Sequence, residues 1–240
     1  MNTRLEAGKT FLAENGLNLW AFLDCATLPE PIQRQFKASN IPLEKYNRLV
    51  LLGHGGPRFW QALAEYGHIT PNPVDYFSTT ITRRFITDYL VSPPIYWLYP
   101  SQLIIPLQQL GELAHWAHPS PLGVGISPQY GVWFAYRTAF LAIADLPVGS
   151  SETAAPSPCH TCLDKPCQTA CPAGAVDEPH QFGLQDCARY RLQPDSSCGD
   201  RCLARLACPV AAEHKYGLPQ VQYHYGRSLI TLQEFYGAGE

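Results

Sequence analysis

Charge is scarce in this sequence, and a basic excess is missing. Only 15% of the residues are charged, and 17 Lys and Arg stand against 20 Asp and Glu, a formal net charge of −3. A nucleic-acid footprint calls for a clear basic excess, so no nucleic-acid partner is expected. Low charge alongside 46% hydrophobic residues also argues against a disordered chain. The 240 residues suffice for one large domain, or a medium domain with a small appendage. Long apolar runs are missing too, since no stretch approaches the roughly 18 residues of a membrane span. Residues 1–10 (MNTRLEAGKT) hold no apolar signal core. Neither secretion nor a membrane partner is therefore expected, and the expected location is cytoplasmic. No repeat of solenoid period is present.

Cysteine is almost absent from the first 158 residues, where Cys25 stands alone; the other eight fall between 159 and 208. A lone Cys25 reads as a small buried hydrophobe rather than a nucleophile. The clustered eight can be a disulfide framework, a zinc site or an iron–sulfur site, and a reducing cytoplasm disfavours the first. Residues 150–158 (SSETAAPSP) are small and proline-bearing and read as a linker. The expected division is therefore 1–150, an α+β domain for a cofactor or substrate, and 159–240, the cysteine-bearing domain.

Before the linker the pattern mixes helix and strand. Residues 48–53 (RLVLLG) form a short apolar run expected as a buried strand. His54-Gly55-Gly56-Pro57 follows, and 58–66 (RFWQALAEY) has helical character. The Gly53-His54-Gly55-Gly56 stretch lacks both the G-x-G-x-x-G spacing and a P-loop lysine. It is expected as a tight turn with His54 a turn residue, and less readily as an anion cradle at a helix start. Asn72-Pro73 suits a helix start, and Val74, Phe77, Ile81 and Phe85 recur at three- and four-residue steps, predicting a helix to about residue 90. Residues 95–98 suggest a short strand and 107–116 another helix. Residues 132–143 (VWFAYRTAFLAI) are nearly all apolar, which predicts a long central strand.

The first cysteine run is Cys159-x2-Cys162-x4-Cys167-x3-Cys171-Pro172. It is close to the bacterial ferredoxin run C-x2-C-x2-C-x3-C-P, whose fourth cysteine serves the other cluster in two-cluster proteins. The second run is Cys198-x3-Cys202-x5-Cys208-Pro209, with Cys187 upstream. The two ends echo each other: Ala170-Cys171-Pro172-Ala173-Gly174-Ala175 against Ala207-Cys208-Pro209-Val210-Ala211-Ala212. Reciprocal exchange then predicts two [4Fe–4S] clusters, one on Cys159, Cys162, Cys167 and Cys208, the other on Cys171, Cys187, Cys198 and Cys202. Two four-cysteine zinc sites would also use eight thiolates, and that alternative stays open. Zinc modules, however, more often pair two CxxC knuckles, and only Cys159-x2-Cys162 is present.

The cysteine module resembles that of epoxyqueuosine reductase, including Cys187 within Asp186-Cys187-Ala188-Arg189-Tyr190, sixteen residues past Cys171. Residues 127–141 (SPQYGVWFAYRTAFL) resemble the strand before the clusters in that family and the WFA-x-R strand of cobalamin-processing CblC proteins. The chain as a whole is similar to bacterial dicluster ferredoxin-like proteins. It shares with them Ser120-Pro121-Leu122-Gly123, Gly131-x-Trp133-Phe134-Ala135-Tyr136-Arg137 and Cys202-x-Ala204-Arg205-x-Ala207-Cys208-Pro209-Val210. These resemblances imply an α+β chain, with a flavin-reductase-like (nitroreductase-like) mixed α/β domain followed by a small ferredoxin-like iron–sulfur domain. They also imply Tyr130 and Arg137 as cofactor contacts. A buried Arg137 needs a partner, and Asp145 is the structural candidate. The resemblance breaks where epoxyqueuosine reductases carry a catalytic Asp, since 97–102 (WLYPSQ) has none, and their Gly-Lys-Asn loop is replaced near 124–128 (VGISP). Epoxyqueuosine reduction is therefore not expected.

The histidines show no H-x-E or HExxH spacing, so a catalytic zinc is not expected. No Asp-x-His-x-x-Gly motif for base-off corrinoid binding is present either. The expected function is a redox protein relaying electrons through two [4Fe–4S] clusters to a cofactor or substrate in the first domain. A corrinoid (cobalamin) is the first expectation for that cofactor and a flavin the second. The electron donor would be a ferredoxin, a flavodoxin or a reductase. The alternative is a tetrapyrrole-binding or trafficking protein with structural clusters. Residues 216–227 (YGLPQVQYHYGR) are expected to pack the C-terminus onto the body.

Overall fold

The computed structural model describes residues 2–67, 70–177 and 182–236. In chain order the first elements are α1 (Asn2–Glu14), β1 (Leu19–Asp24), α2 (Glu30–Ala38), β2 (Arg48–Gly55), α3 (Arg58–Tyr66), α4 (Pro73–Asp88), β3 (Ile95–Tyr99) and α5 (Leu107–Leu113). They are followed by β4 (His118–Pro119), β5 (Gly125–Ile126), β6 (Phe134–Ala142), β7 (Gly149–Ser150), α6 (Pro166–Thr169), α7 (Leu184–Arg191), α8 (Leu203–Leu206) and α9 (Leu218–Tyr236). The fold is mixed α+β with an antiparallel main sheet in the order β3-β6-β2-β1-β7.

The chain forms two compact units. One runs to Trp116 and includes Phe134–Ala155; the other joins Ala117–Trp133 to the chain from Pro156 onward. Residues 117–133 group with the cysteine-bearing segment because their apolar side chains are spent there. Leu122, Ile126, Val132 and Trp133 share one buried core with Val176, Ala204, Cys208, Tyr216 and Val221.

In the first unit, Leu49, Val50, Leu51 and Leu52 of β2 are all fully buried, which explains an apolar run without alternation. On α4, Val74, Phe77, Ile81 and Phe85 are buried, each worth about 1.5–3 kcal/mol of apolar transfer. Thr82 on that helix and Thr138 on β6 satisfy each other's hydroxyls at 2.9 Å. Pro73 takes the first turn of α4 as expected, but Asn72 supplies no side-chain cap.

The glycine stretch is a correction. Gly53, His54 and Gly55 continue β2, and only Gly56 (φ +74°) turns the chain. A Cβ at Gly53 would stand 2.8 Å from the Ala135 carbonyl oxygen and 2.9 Å from the Trp116 ring. Gly53 is thus bare to let backbone and indole pack close, not to make a turn. His54 is fully buried rather than a turn residue.

A β-bulge sits next to it. Leu52 pairs with Thr138 and Gly53 with Tyr136, so Arg137 is the extra residue on β6. Bulges re-aim side chains, which is how a guanidinium enters an otherwise apolar strand.

Candidate metal centre

None of the nine cysteines is joined in a disulfide. In the second unit four of the eight clustered ones lie on or cap short elements, and Cys162, Cys171, Cys198 and Cys208 lie in the connections between them. Cys159 lies in a 3₁₀ turn (Pro158–His160), Cys167 in α6, Cys187 in α7, and Cys202 caps α8 by accepting the Arg205 backbone N–H at 3.4 Å. The echo between the two runs has a local cause. Helices α6 and α8 are both four residues long, they pack on each other, and each runs out into an Ala-Cys-Pro step.

Cys159, Cys162, Cys167 and Cys208 line one narrow cavity of about 20 Å³, together with Leu122, Lys165 and Val210. Cys171, Cys187, Cys198 and Cys202 line a second, of about 640 Å³, with Leu122, Arg191, Arg205 and Tyr225. Each run therefore sends its Cys-Pro cysteine to the other run's cavity. Among the described residues no three His, Cys, Asp or Glu side chains are grouped to hold a single metal ion; each set of four borders a space instead.

Electrostatics groups the thiols in the same way. Burial pushes the Cys159 thiol up, and Cys208, Cys167 and Cys162 push it further. Cys187 is raised to about 11, first by burial and then by Cys202, while Arg191 pulls it back and Cys171 and Cys198 add to the rise. Burial also raises Cys167, Cys202 and Cys208. Thiols such as Cys159 and Cys187, held up by burial and by neighbouring thiols, fit a polycationic centre, which binds thiolates and displaces their protons. The donor chemistry of each set therefore fits a [4Fe–4S] cluster, which takes four Cys thiolates.

Two arginines and a tyrosine frame the second set. Arg191 is buried and donates to the carbonyls of Cys198 (3.1 Å), Gly199 (3.3 Å) and Tyr225 (2.9 Å) and to Ser228 Oγ (2.7 Å). Arg205 donates to the Val132 carbonyl at 3.1 Å and lies over the rings of Trp133 and Tyr216. Arg205 was visible in the shared 202–210 pattern. Tyr225 was not singled out, because within 216–227 it is one aromatic among several.

The two residues expected at a cofactor fall in different units. Tyr130 belongs to the second. It sits within a turn closed by reciprocal Ser127 and Gly131 backbone bonds, and its ring lies 4.8 Å from that of His214. Arg137 belongs to the first. It donates to His54 Nε2 at 3.1 Å and its guanidinium lies 5.0 Å from the Phe59 ring. A permanently charged guanidinium can only donate, so Nε2 accepts and the imidazole is neutral with its proton on Nδ1. Asp145, the carboxylate weighed as a partner, is exposed beyond the end of β6.

No protein-family model and no curated protein sequence matches the chain. Its fold is similar to that of epoxyqueuosine reductase from Streptococcus thermophilus, with a TM-score of 0.58 and 11% identity over 88% of this chain and 66% of that one. Epoxyqueuosine reductase from Bacillus subtilis gives a TM-score of 0.56 and 12% identity over 90% of this chain and 66% of that one. The chain thus spans just under two thirds of these relatives' length. The B12-trafficking protein CblC from C. elegans gives a weaker likeness, with a TM-score of 0.44 at 11% identity over 94% of this chain and 92% of that one.

Proposed function

We propose that the chain is an iron–sulfur redox protein whose second unit holds two [4Fe–4S] clusters. The observation that carries this reading is the sorting of eight thiols into two fours, with Cys171 and Cys208 exchanged between runs. Cys159, Cys162, Cys167 and Cys208 would hold one cluster, and Cys171, Cys187, Cys198 and Cys202 the other. Such clusters supply one-electron transfer at potentials tuned by their surroundings. The chain's part is to supply thiolates, to exclude water through the core around Trp133, and to place hydrogen-bond donors at the sulfurs. Sulfurs arranged around a space suit a group with separate iron corners better than the single ion of a zinc site.

The likeness to epoxyqueuosine reductases supports a ferredoxin-like second unit and a nitroreductase-like first unit, in the α+β arrangement described above. Electrons would come from a ferredoxin, a flavodoxin or a reductase and pass to a cofactor or substrate of the first unit. A corrinoid is the first candidate and a flavin the second. The acid missing from 97–102 favours a reaction other than epoxyqueuosine reduction, or a binding role with structural clusters.

Anaerobic reconstitution with iron and sulfide tests the proposal. Loading to roughly eight irons and eight sulfides per chain, with a broad visible absorption bleached by dithionite, is the expected result. A colourless protein with stoichiometric zinc would overturn it. Titrating the loaded protein with cobalamin and with flavin then distinguishes the candidates for the first unit.

A further inference from the structure

The two sets of thiols border very unequal spaces. The first encloses about 20 Å³ and the second about 640 Å³. Each set offers the four thiolates that one cluster takes, so the same group would sit against both. Most of the second space is then left over. Cavities that bind small molecules run to about 300–1,000 Å³ and are mainly apolar with a few polar groups, and the second space fits that description. Val124, Val176, Phe182, Leu184 and Leu232 give it apolar walls. Those walls are held in place. Gly123 turns at φ +69°, and a Cβ there would stand 2.9 Å from the Phe182 ring. Tyr190 is tied to Ser197 at 3.1 Å, and the Tyr225 ring lies 5.1 Å from the Arg191 guanidinium. Leu184 and Val124 are 54% and 43% exposed, so the cavity reaches the surface.

Charge decides which class of molecule this space takes. No Asp or Glu is among the described residues that line it. Its three guanidiniums are already engaged. Arg191 donates to three backbone carbonyls and to Ser228, and Arg205 donates to the Val132 carbonyl. Arg201 donates to both carboxylate oxygens of Asp200, at 2.6 and 3.0 Å. A thiolate-ligated cluster is itself anionic and would take up the charge of Arg191 and Arg205. An ionic guest would then lose its water among apolar walls without gaining a counter-charge. Resting on the two-cluster reading above, we propose that the cavity on Cys171, Cys187, Cys198 and Cys202 binds an uncharged aromatic small molecule against the second cluster. The rings of Phe182, Tyr190 and Tyr225 line it as stacking partners. The second cluster is then the one that meets a diffusing molecule, and the first stays enclosed.

The test is equilibrium dialysis of the reconstituted protein against two probes. Phenylnaphthylamine is neutral, and anilinonaphthalene sulfonate has the same rings with a negative charge. Saturable binding of the neutral probe is expected, with the sulfonate at least about ten-fold weaker. Leu184→Asp and Val124→Asp each place a carboxylate on the cavity wall at an exposed position. Leu184 is the first residue of α7, where an acid is well tolerated. Each variant should weaken the neutral probe by about ten-fold with its iron content unchanged. Leu163→Asp is the control: Leu163 is 89% exposed, follows Cys162 and lines neither cavity, and binding should stay as it was. In protein carrying its full iron, three results overturn this inference and leave the two-cluster reading standing. They are no saturable binding of the neutral probe, sulfonate binding as tight, and neutral binding that the Asp variants on the wall leave unmoved. Failure of the wild-type chain to take up iron and sulfide overturns both.

Discussion

Cys25 lies buried beside Asp24, and burial together with that carboxylate pushes its thiol from 9.0 up to about 12. The reactive form is the thiolate, so at pH 8 only about one Cys25 in ten thousand is ionised in the folded chain. Iodoacetamide at pH 8 should leave Cys25 unmodified in the native protein and label it in denaturant; rapid native labelling would contradict the burial. The linkage sign follows. Between pH 9 and 12 the unfolded chain ionises this thiol and the folded chain does not, so the Cys25 contribution to stability falls as pH rises through that window. His54 makes a second case. His54→Ala removes one acceptor from the buried Arg137 guanidinium, and a loss of about 1–3 kcal/mol is expected. Urea unfolding measures it, and an unchanged midpoint would mean that the 3.1 Å contact carries little stability.

At the scale of elements, β2, α3, α4, β3 and β6 were legible because their apolar residues are dense or periodic and their boundaries are marked by Gly or Pro. Helix α1 was not: only Leu5 and Leu12 of its buried hydrophobics stand out, one pair seven apart, too sparse to set a 3.6-residue period. The end of β2 was misread because Gly53 and Gly55 carry turn chemistry in any local reading. Gly53 is dictated instead by Trp116 and Ala135, residues more than sixty positions away. Arg137 was legible as a buried charge, but the bulge that aims it at His54 is a property of strand pairing. Gly131 shows a glycine of another kind. It adopts φ +57°, and a Cβ there would stand 2.3 Å from the Val210 carbonyl oxygen. Gly131→Ala should therefore destabilise the second unit by about 1–3 kcal/mol. Hydrogen exchange should show faster opening of 203–221 with protection of β2 and β6 unchanged.

At the scale of the molecule, one chain forms two units and crosses between them at 116/117, 133/134 and 155/156. The last of these falls within 150–158, the small, proline-bearing stretch. The first two leave no local mark: no linker composition flags 116/117, and the apolar run 132–143 continues across 133/134, so only packing decides which core each side joins. Among the described residues no helix is long and apolar enough to cross a membrane. The pairing of cysteines spans much of the second unit, joining Cys159 to Cys208 and Cys171 to Cys202 around two spaces. Iron counts on double variants after anaerobic reconstitution test it most directly. Cys162→Ala with Cys208→Ala touches one set and should cost about four irons, whereas Cys162→Ala with Cys171→Ala touches both sets and should cost about eight. Equal losses from the two double variants, or no iron in the unaltered chain, would contradict two interleaved four-thiol sites.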